Sequence, residues 1–116
     1  MSLDVYLEAV VDVGHKDGPH TTVLYDANYT HNITEMADAA GLYRVVWRPE
    51  ENGIELAGEL VPHLEKGIEA LESNPEHYKQ FNPGNGWGSY KAFVPWLKRL
   101  LEACREYPKA KYSVSR

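Results

Sequence analysis

The sequence predicts an α+β domain: a small mixed or antiparallel sheet of three or four strands that opens with an N-terminal hairpin. Two longer helices and one or two short helices are expected on one face of this sheet. Apolar and polar residues alternate from Leu3 to Val13, and a period of two is typical of a strand with one buried face. Two later segments repeat apolar residues every three or four positions, as amphipathic helices do. The length of 116 residues fits a single domain over residues 1–116.

The hairpin is predicted from two strand-like segments and the turn between them. The alternating segment 3–13 is followed by a turn cluster at 14–19 that contains glycine and proline. The β-branched and aromatic segment 21–25 then returns as the second strand. Residues 28–32 are predicted to form a polar loop.

A short helix and a third strand are predicted next. Asn32 and Glu35 fit a capping box at the start of the helix, and Gly41 is a natural stop. The β-branched and aromatic residues of segment 42–47 favour a strand.

The second half of the chain predicts two long helices and a final strand. The first helix covers about 57–72, with Pro62 in its first turn, where a missing N–H costs nothing. The second covers about 89–107, and Pro95 is expected to kink or shorten it. Segment 111–115 favours a last strand.

Composition excludes several classes of partner. The chain has 12 basic and 17 acidic residues, a net charge of −5. It lacks the basic stripe with which proteins neutralise duplex nucleic acid, and it has no apolar run of the roughly 20 residues that span a bilayer. We therefore expect neither duplex nucleic acid nor a membrane as partner. The acidic residues near the N-terminus do not fit a secretory leader, so the chain is expected to be cytoplasmic.

Two polar segments, 26–32 and 82–90, are the candidates for function. Each combines amide, hydroxyl and aromatic side chains and leads into a predicted helix start, where free backbone N–H groups attract anions. Indole and phenol rings can stack on a flat base or sugar. The candidate ligand-binding residues are Asn28, Tyr29, Thr30, His31, Asn32, Asn82, Asn85, Trp87, Ser89 and Tyr90.

A purely structural interpretation of both segments is the alternative. Asparagine, serine and threonine before helices are caps, glycines supply turns, and Trp87 would fill the core beneath its loop. If both helices start at the same edge of the sheet, the two segments instead meet and enclose a cleft.

Catalytic and metal-binding candidates are few. His31 is the candidate general base because its ordinary pKa lies near neutrality, and Asp26 is placed to orient it. The alternative is a histidine that makes a backbone hydrogen bond at a helix start. Cys104 lies on an apolar helical stripe and is expected to be a buried, inert thiol. No spacing predicts a metal site or a cofactor motif.

The two polar segments also carry a resemblance. The N-x-T-x-N sequence at Asn28–Asn32, the N-P-x-N-G-W-G sequence within Asn82–Tyr90 and the helix that closes at Ala103–Pro108 resemble a family of small uncharacterised bacterial and bacteriophage proteins. The resemblance covers residues 26–116. It implies a stand-alone accessory protein, and a phage origin would make binding of a host factor, or counter-defence, an expected role.

We therefore expect a non-catalytic protein that binds a small, polar, nucleotide-like ligand between segments 26–32 and 82–90. One alternative is an interaction module that inhibits or recruits a host protein through an exposed aromatic surface. The other is a small enzyme with His31 as general base.

Overall fold

A three-stranded antiparallel sheet forms one layer of the protein in the computed structural model, which describes residues 2–116. The strands are β1 (Ser2–Val11), β2 (His20–Thr30) and β3 (Lys111–Ser115), in the order β2-β1-β3. Both pairings are antiparallel. The predicted N-terminal hairpin and final strand are confirmed.

The helices cover one face of this sheet. They are α1 (Thr34–Ala39), α2 (Tyr43–Val46), α3 (Ala57–Ser73), α4 (Pro75–Lys79) and α5 (Tyr90–Glu106), with 3-10 turns at His31–Ile33 and Pro49–Glu51. On β1 the side chains of Leu3, Val5 and Leu7 are fully buried, whereas their neighbours Asp4 and Tyr6 stay partly exposed. This alternation places the helices against one face and leaves the other face open. The predicted α+β class, with helices on one face, is confirmed.

The predicted third strand is wrong, because segment 42–47 contains α2. Leu42, Val45 and Val46 are all buried, and their i, i+3, i+4 spacing suits one face of a helical turn. Leu42 packs so closely on Gly67 of α3 that a Cβ added there would lie 2.4 Å from its Cδ2 atom. Burial around the whole segment overrides the β preference of its residues.

The predicted polar loop at 28–32 is wrong in its first part, because β2 continues to Thr30. Pairing persists since β1 begins at Ser2, which lies opposite Thr30. The predicted capping box is also wrong. Thr30 Oγ1, not Asn32, accepts a hydrogen bond, from the Asn32 amide at 3.2 Å, and α1 starts only at Thr34.

The prediction for Pro62 is wrong too, since α3 starts at Ala57 and Pro62 is its sixth residue. Pro95 is likewise the sixth residue of α5, which continues to Glu106. Both prolines lie on exposed positions, where water can solvate the carbonyl that each ring leaves without its helical donor.

The hairpin extends beyond the rest of the sheet. β3 pairs with β1 only as far as Glu8, so residues 9–24, here called the hairpin arm, have no third strand beside them. The molecule is correspondingly elongated, at 53 × 27 × 22 Å.

Candidate functional site

The two polar segments meet at Tyr29 and Ser89. The Tyr29 hydroxyl donates to the main-chain oxygen of Ser89 at 3.2 Å and accepts from its amide at 3.3 Å. Partial burial raises the pKa of Tyr29, and the hydrogen bond with the Ser89 backbone offsets part of that rise. The ring is therefore a neutral phenol at physiological pH, joining segments 60 positions apart in the chain.

A glycine permits this close approach. Gly88 has φ +89°, and a Cβ at this position would lie 2.8 Å from Thr30 Cγ2 and 3.3 Å from Tyr29 Cε1. Residues other than glycine are strained at such a φ, and no side chain fits in the space. Gly88 thus brings the backbone of segment 82–90 into contact with the end of β2.

Two aromatic rings of the core pack against the ring of Tyr29. Its ring centroid lies 5.3 Å from that of Phe93 and 5.4 Å from that of Trp96, at separations that favour tilted and edge-to-face pairs. Phe93 and Trp96 are buried residues of α5. The contact between the segments therefore rests on the packed core.

An open cleft of about 710 Å³ lies where the segments meet. Its lining comprises Ser2, Asn28, Tyr29, Thr30, Asn32, Asn85, Trp87, Gly88 and Ala92. The Trp87 side chain is 69% exposed, so it does not fill the core as the structural alternative required. The Trp87 amide donates to Asn85 Oδ1 at 3.0 Å, which positions the indole beside the cleft.

Six of the candidate ligand-binding residues line this cleft and four do not. Those that line it are Asn28, Tyr29, Thr30, Asn32, Asn85 and Trp87. Those outside its lining are His31, Asn82, Ser89 and Tyr90.

Three of the four hold the second segment in place. Asn82 Oδ1 accepts from the Tyr90 amide at 2.8 Å, and Ser89 Oγ accepts from the Ala92 amide at 3.2 Å. The Tyr90 hydroxyl donates to the main-chain oxygen of Leu71 at 2.7 Å. These side chains cap α5 and tie it to α3, so the structural interpretation applies to them.

The imidazole of His31 is hydrogen-bonded to a tryptophan. Its Nδ1 accepts a hydrogen bond of 3.1 Å from the indole Nε1 of Trp47, which requires a neutral imidazole with its proton on Nε2. Asp26 lies on β2 opposite Tyr6, and Trp47, rather than Asp26, orients the ring. The sequence does not indicate this partner of His31, because the residues of segment 42–47 favour a strand.

Three further residues of the lining are not among the candidate ligand-binding residues: Ser2, Ala92 and Gly88, of which Gly88 lies within the predicted segment 82–90. Ser2 is there because it pairs with Thr30 at the start of β1. Extending the alternation of the first strand back by one residue would have indicated it.

The remaining features of residues 2–116 are the possible metal ligands, the length and polarity of the helices, and the thiol of Cys104. No group of three or more histidine, cysteine, aspartate or glutamate side chains is arranged to hold a metal ion in this range. Within it, too, every helix is too short or too polar to cross a membrane. Cys104 is fully buried, and burial raises the pKa of its thiol to about 12. The predicted burial of this thiol is confirmed, and its inertness stays a prediction.

No protein-family model matches the chain, and neither a curated protein nor a solved structure shows significant similarity to it.

Proposed function

We propose that this protein is a non-catalytic accessory protein that binds a small, polar, nucleotide-like ligand in the cleft between segments 26–32 and 82–90. The observation that carries the proposal is the exposure of Trp87, 69% of whose side chain faces solvent beside a cleft lined by three asparagines. A large indole held in the open by its own loop has no role in the core. Exposed aromatic residues beside polar groups are typical of binding sites.

The side chains of the lining would bind the ligand in two ways, by stacking and by hydrogen bonding. Trp87 is the stacking surface, because its indole is wide and accessible. Asn28, Asn32 and Asn85 each present an amide, which both donates and accepts hydrogen bonds. Asn85 Oδ1 already accepts a hydrogen bond from the main-chain amide of Trp87, so Asn85 would donate to the ligand through its side-chain NH2 group.

The protein's own fluorescence offers a direct test. Trp47 and Trp96 are 1% and 4% exposed, so a ligand stacking at the cleft quenches mainly Trp87. We expect a panel of nucleosides and nucleotides to contain a compound that quenches this emission. The same compound should raise the thermal midpoint, since a ligand present at 100 times its Kd stabilises the folded state by about 2.7 kcal/mol.

Two variants make the test specific. Trp87→Ala and Asn28→Ala should both abolish the thermal shift. Val13→Ala is the matched control, because Val13 is 70% exposed in the hairpin turn, away from the lining of the cleft. A panel without any effect on the wild-type protein would refute the proposed site.

An interaction module that inhibits or recruits a host protein is the second candidate, favoured by the hairpin arm. Val10, Val11, Val13, Val23 and Leu24 are 37–70% exposed there, and exposed apolar clusters mark protein contacts. If the arm is the functional surface, a bait carrying Val11→Asp and Val23→Asp loses a captured partner that a Trp87→Ala bait retains. The reverse pattern would place the contact at the cleft.

A further inference from the structure

The described residues that line the cleft carry no formal charge. Among the residues that the structure describes, its lining consists of amide, hydroxyl, aromatic and small side chains, with no lysine, arginine, histidine, aspartate or glutamate. Tyr29 is its one titratable member, and burial keeps the phenol neutral by raising its pKa. A site for phosphate esters needs charge-assisted donors such as arginine or lysine, and this lining provides none.

Backbone donors do not replace the missing cations. Several amides at the start of α5 and in the preceding loop already donate within the protein: those of Trp87, Ser89, Tyr90 and Ala92. An anion bound at a helix N-terminus relies on amides of this kind. Their acceptors are the Asn85, Tyr29, Asn82 and Ser89 side chains, so a phosphate group would have to displace them.

The nearest strand positions add negative charge. Asn28, which lines the cleft, lies opposite Asp4 on β1, and Asp26 lies opposite Tyr6. A neighbouring groove on the open face of the sheet is lined by Asp4, Tyr6, Asp26, Ala27 and Asn28. Asn28 therefore belongs both to the cleft and to a surface with two carboxylates, which would repel an anion bound next to it.

We infer that the cleft selects an uncharged ring compound, such as a nucleoside or a sugar, and discriminates against its phosphate esters. This inference rests on the proposed function of the cleft and narrows its ligand class. The indole of Trp87 covers one face of the ring, and the amides of Asn28 and Asn32 bind donors and acceptors on its edge. Nucleosides and sugars share this chemistry, with a ring face that stacks and an edge of polar groups.

Matched pairs of ligands test the discrimination. Adenosine is compared with adenosine monophosphate, uridine with uridine monophosphate, and glucose with glucose 6-phosphate, by quenching of Trp87 at low ionic strength. A phosphate monoester carries a charge of about −1.5 to −2 at pH 7. In the pair that binds, we expect the Kd of the uncharged compound to be at least about tenfold lower than that of its phosphate ester. This gap between the two Kd values should narrow in 0.5 M NaCl, because salt screens the carboxylates.

A charge variant separates repulsion from steric exclusion. Asp4→Asn removes one carboxylate with little change of shape, and it should narrow the gap between the two members of the pair. Glu69→Gln is the matched control, since Glu69 is an exposed residue of α3 outside the lining of the cleft, and it should leave the gap unchanged.

The outcomes distinguish this inference from the proposed function. If a phosphate ester binds as tightly as its uncharged partner, and Trp87→Ala abolishes the thermal shift that this ester causes, the cleft is a binding site but the inference is overturned. A gap in Kd that stays unchanged in both Asp4→Asn and high salt would overturn the electrostatic part of the inference, the repulsion of phosphate by the carboxylates. If neither member of any pair binds, the proposed function itself fails. Whichever pair responds identifies the ligand as a nucleoside or a sugar.

Discussion

Replacing Gly88 by alanine should detach segment 82–90 from β2 and lower the free energy of unfolding, because of its positive φ and its contact with Thr30. Gly88 has φ +89°, and an alanine held at a left-handed φ costs about 1–2 kcal/mol. The new methyl group would also lie 2.8 Å from Thr30 Cγ2. Relief of that overlap requires the loop to move, which lengthens both Tyr29 hydrogen bonds to Ser89. Each is worth about 1 kcal/mol, so together with the backbone cost we expect a total loss of about 3–4 kcal/mol.

Two neighbouring glycines act as graded controls. Gly86 has φ +77° but nothing within 4 Å of an added Cβ, and Gly84 has neither a positive φ nor a close neighbour. Gly86→Ala should therefore lose only the backbone contribution, about 1–2 kcal/mol. Gly84→Ala should be neutral or stabilise the protein by up to about 1 kcal/mol, since alanine restricts the unfolded chain.

Urea unfolding followed by circular dichroism measures all three variants, with a constant slope showing that the two-state comparison holds. The expected order of loss is Gly88→Ala, then Gly86→Ala, then Gly84→Ala. Equal losses for Gly88→Ala and Gly86→Ala would mean that Thr30 does not lie against this backbone and that the added methyl group meets no obstacle. The detached loop should also abolish any ligand-induced thermal shift.

Three further predictions concern residues outside the cleft. Cys104, with its pKa raised to about 12, should remain unlabelled by a thiol reagent at pH 8 until urea unfolds the protein, and prompt labelling of the folded protein would contradict its burial. His31→Ala should cost about 1–3 kcal/mol in urea unfolding, because it leaves the buried Trp47 indole without its acceptor. His31→Asn, which keeps an acceptor, should recover part of that loss, whereas equal losses would mean that the bond contributes nothing. Hydrogen bonds from the Leu56 and Glu55 amides lower the pKa of Glu59 in the folded protein below its ordinary value. The ionised carboxylate therefore stabilises the folded state fully above the ordinary pKa, and this contribution is lost as the pH falls through the lowered pKa of the folded protein. The advantage in unfolding midpoint of the wild-type protein over Glu59→Gln should accordingly shrink from pH 7 to pH 3, and a constant advantage would exclude a contribution from the charge.

Much of the fold could be predicted because its signals are periodic and local. The alternation that begins at Leu3 predicted β1, and the apolar stripes of α3 and α5 predicted the two long helices. The prediction for segment 42–47 failed because its residues suit either a strand or a buried helical turn. The contact of Leu42 with Gly67, a residue far along the chain, favours the helix.

The candidate site was predictable in its composition but not in its division of roles. The polar residues of segments 26–32 and 82–90 stood out from the apolar pattern, and Asn28 and Trp87 do line a common cleft. Nothing local distinguishes Asn85, which lines the cleft, from Asn82, which caps α5. The difference depends on the contacts of each side chain: Asn82 accepts from the Tyr90 amide at the start of α5, whereas Asn85 accepts from the Trp87 amide beside the cleft.

Local sequence patterns predict the α+β class, the hairpin, the long helices and the two polar segments, because each depends on residues close together in the chain. Packing between distant residues brings the two segments to one cleft, makes the Trp47 indole the hydrogen-bond donor to His31, and places carboxylates of β1 and β2 beside Asn28. Those relations depend on strand register and on the packing of α5 against Tyr29. Both arise from contacts between residues tens of positions apart, which no local pattern encodes.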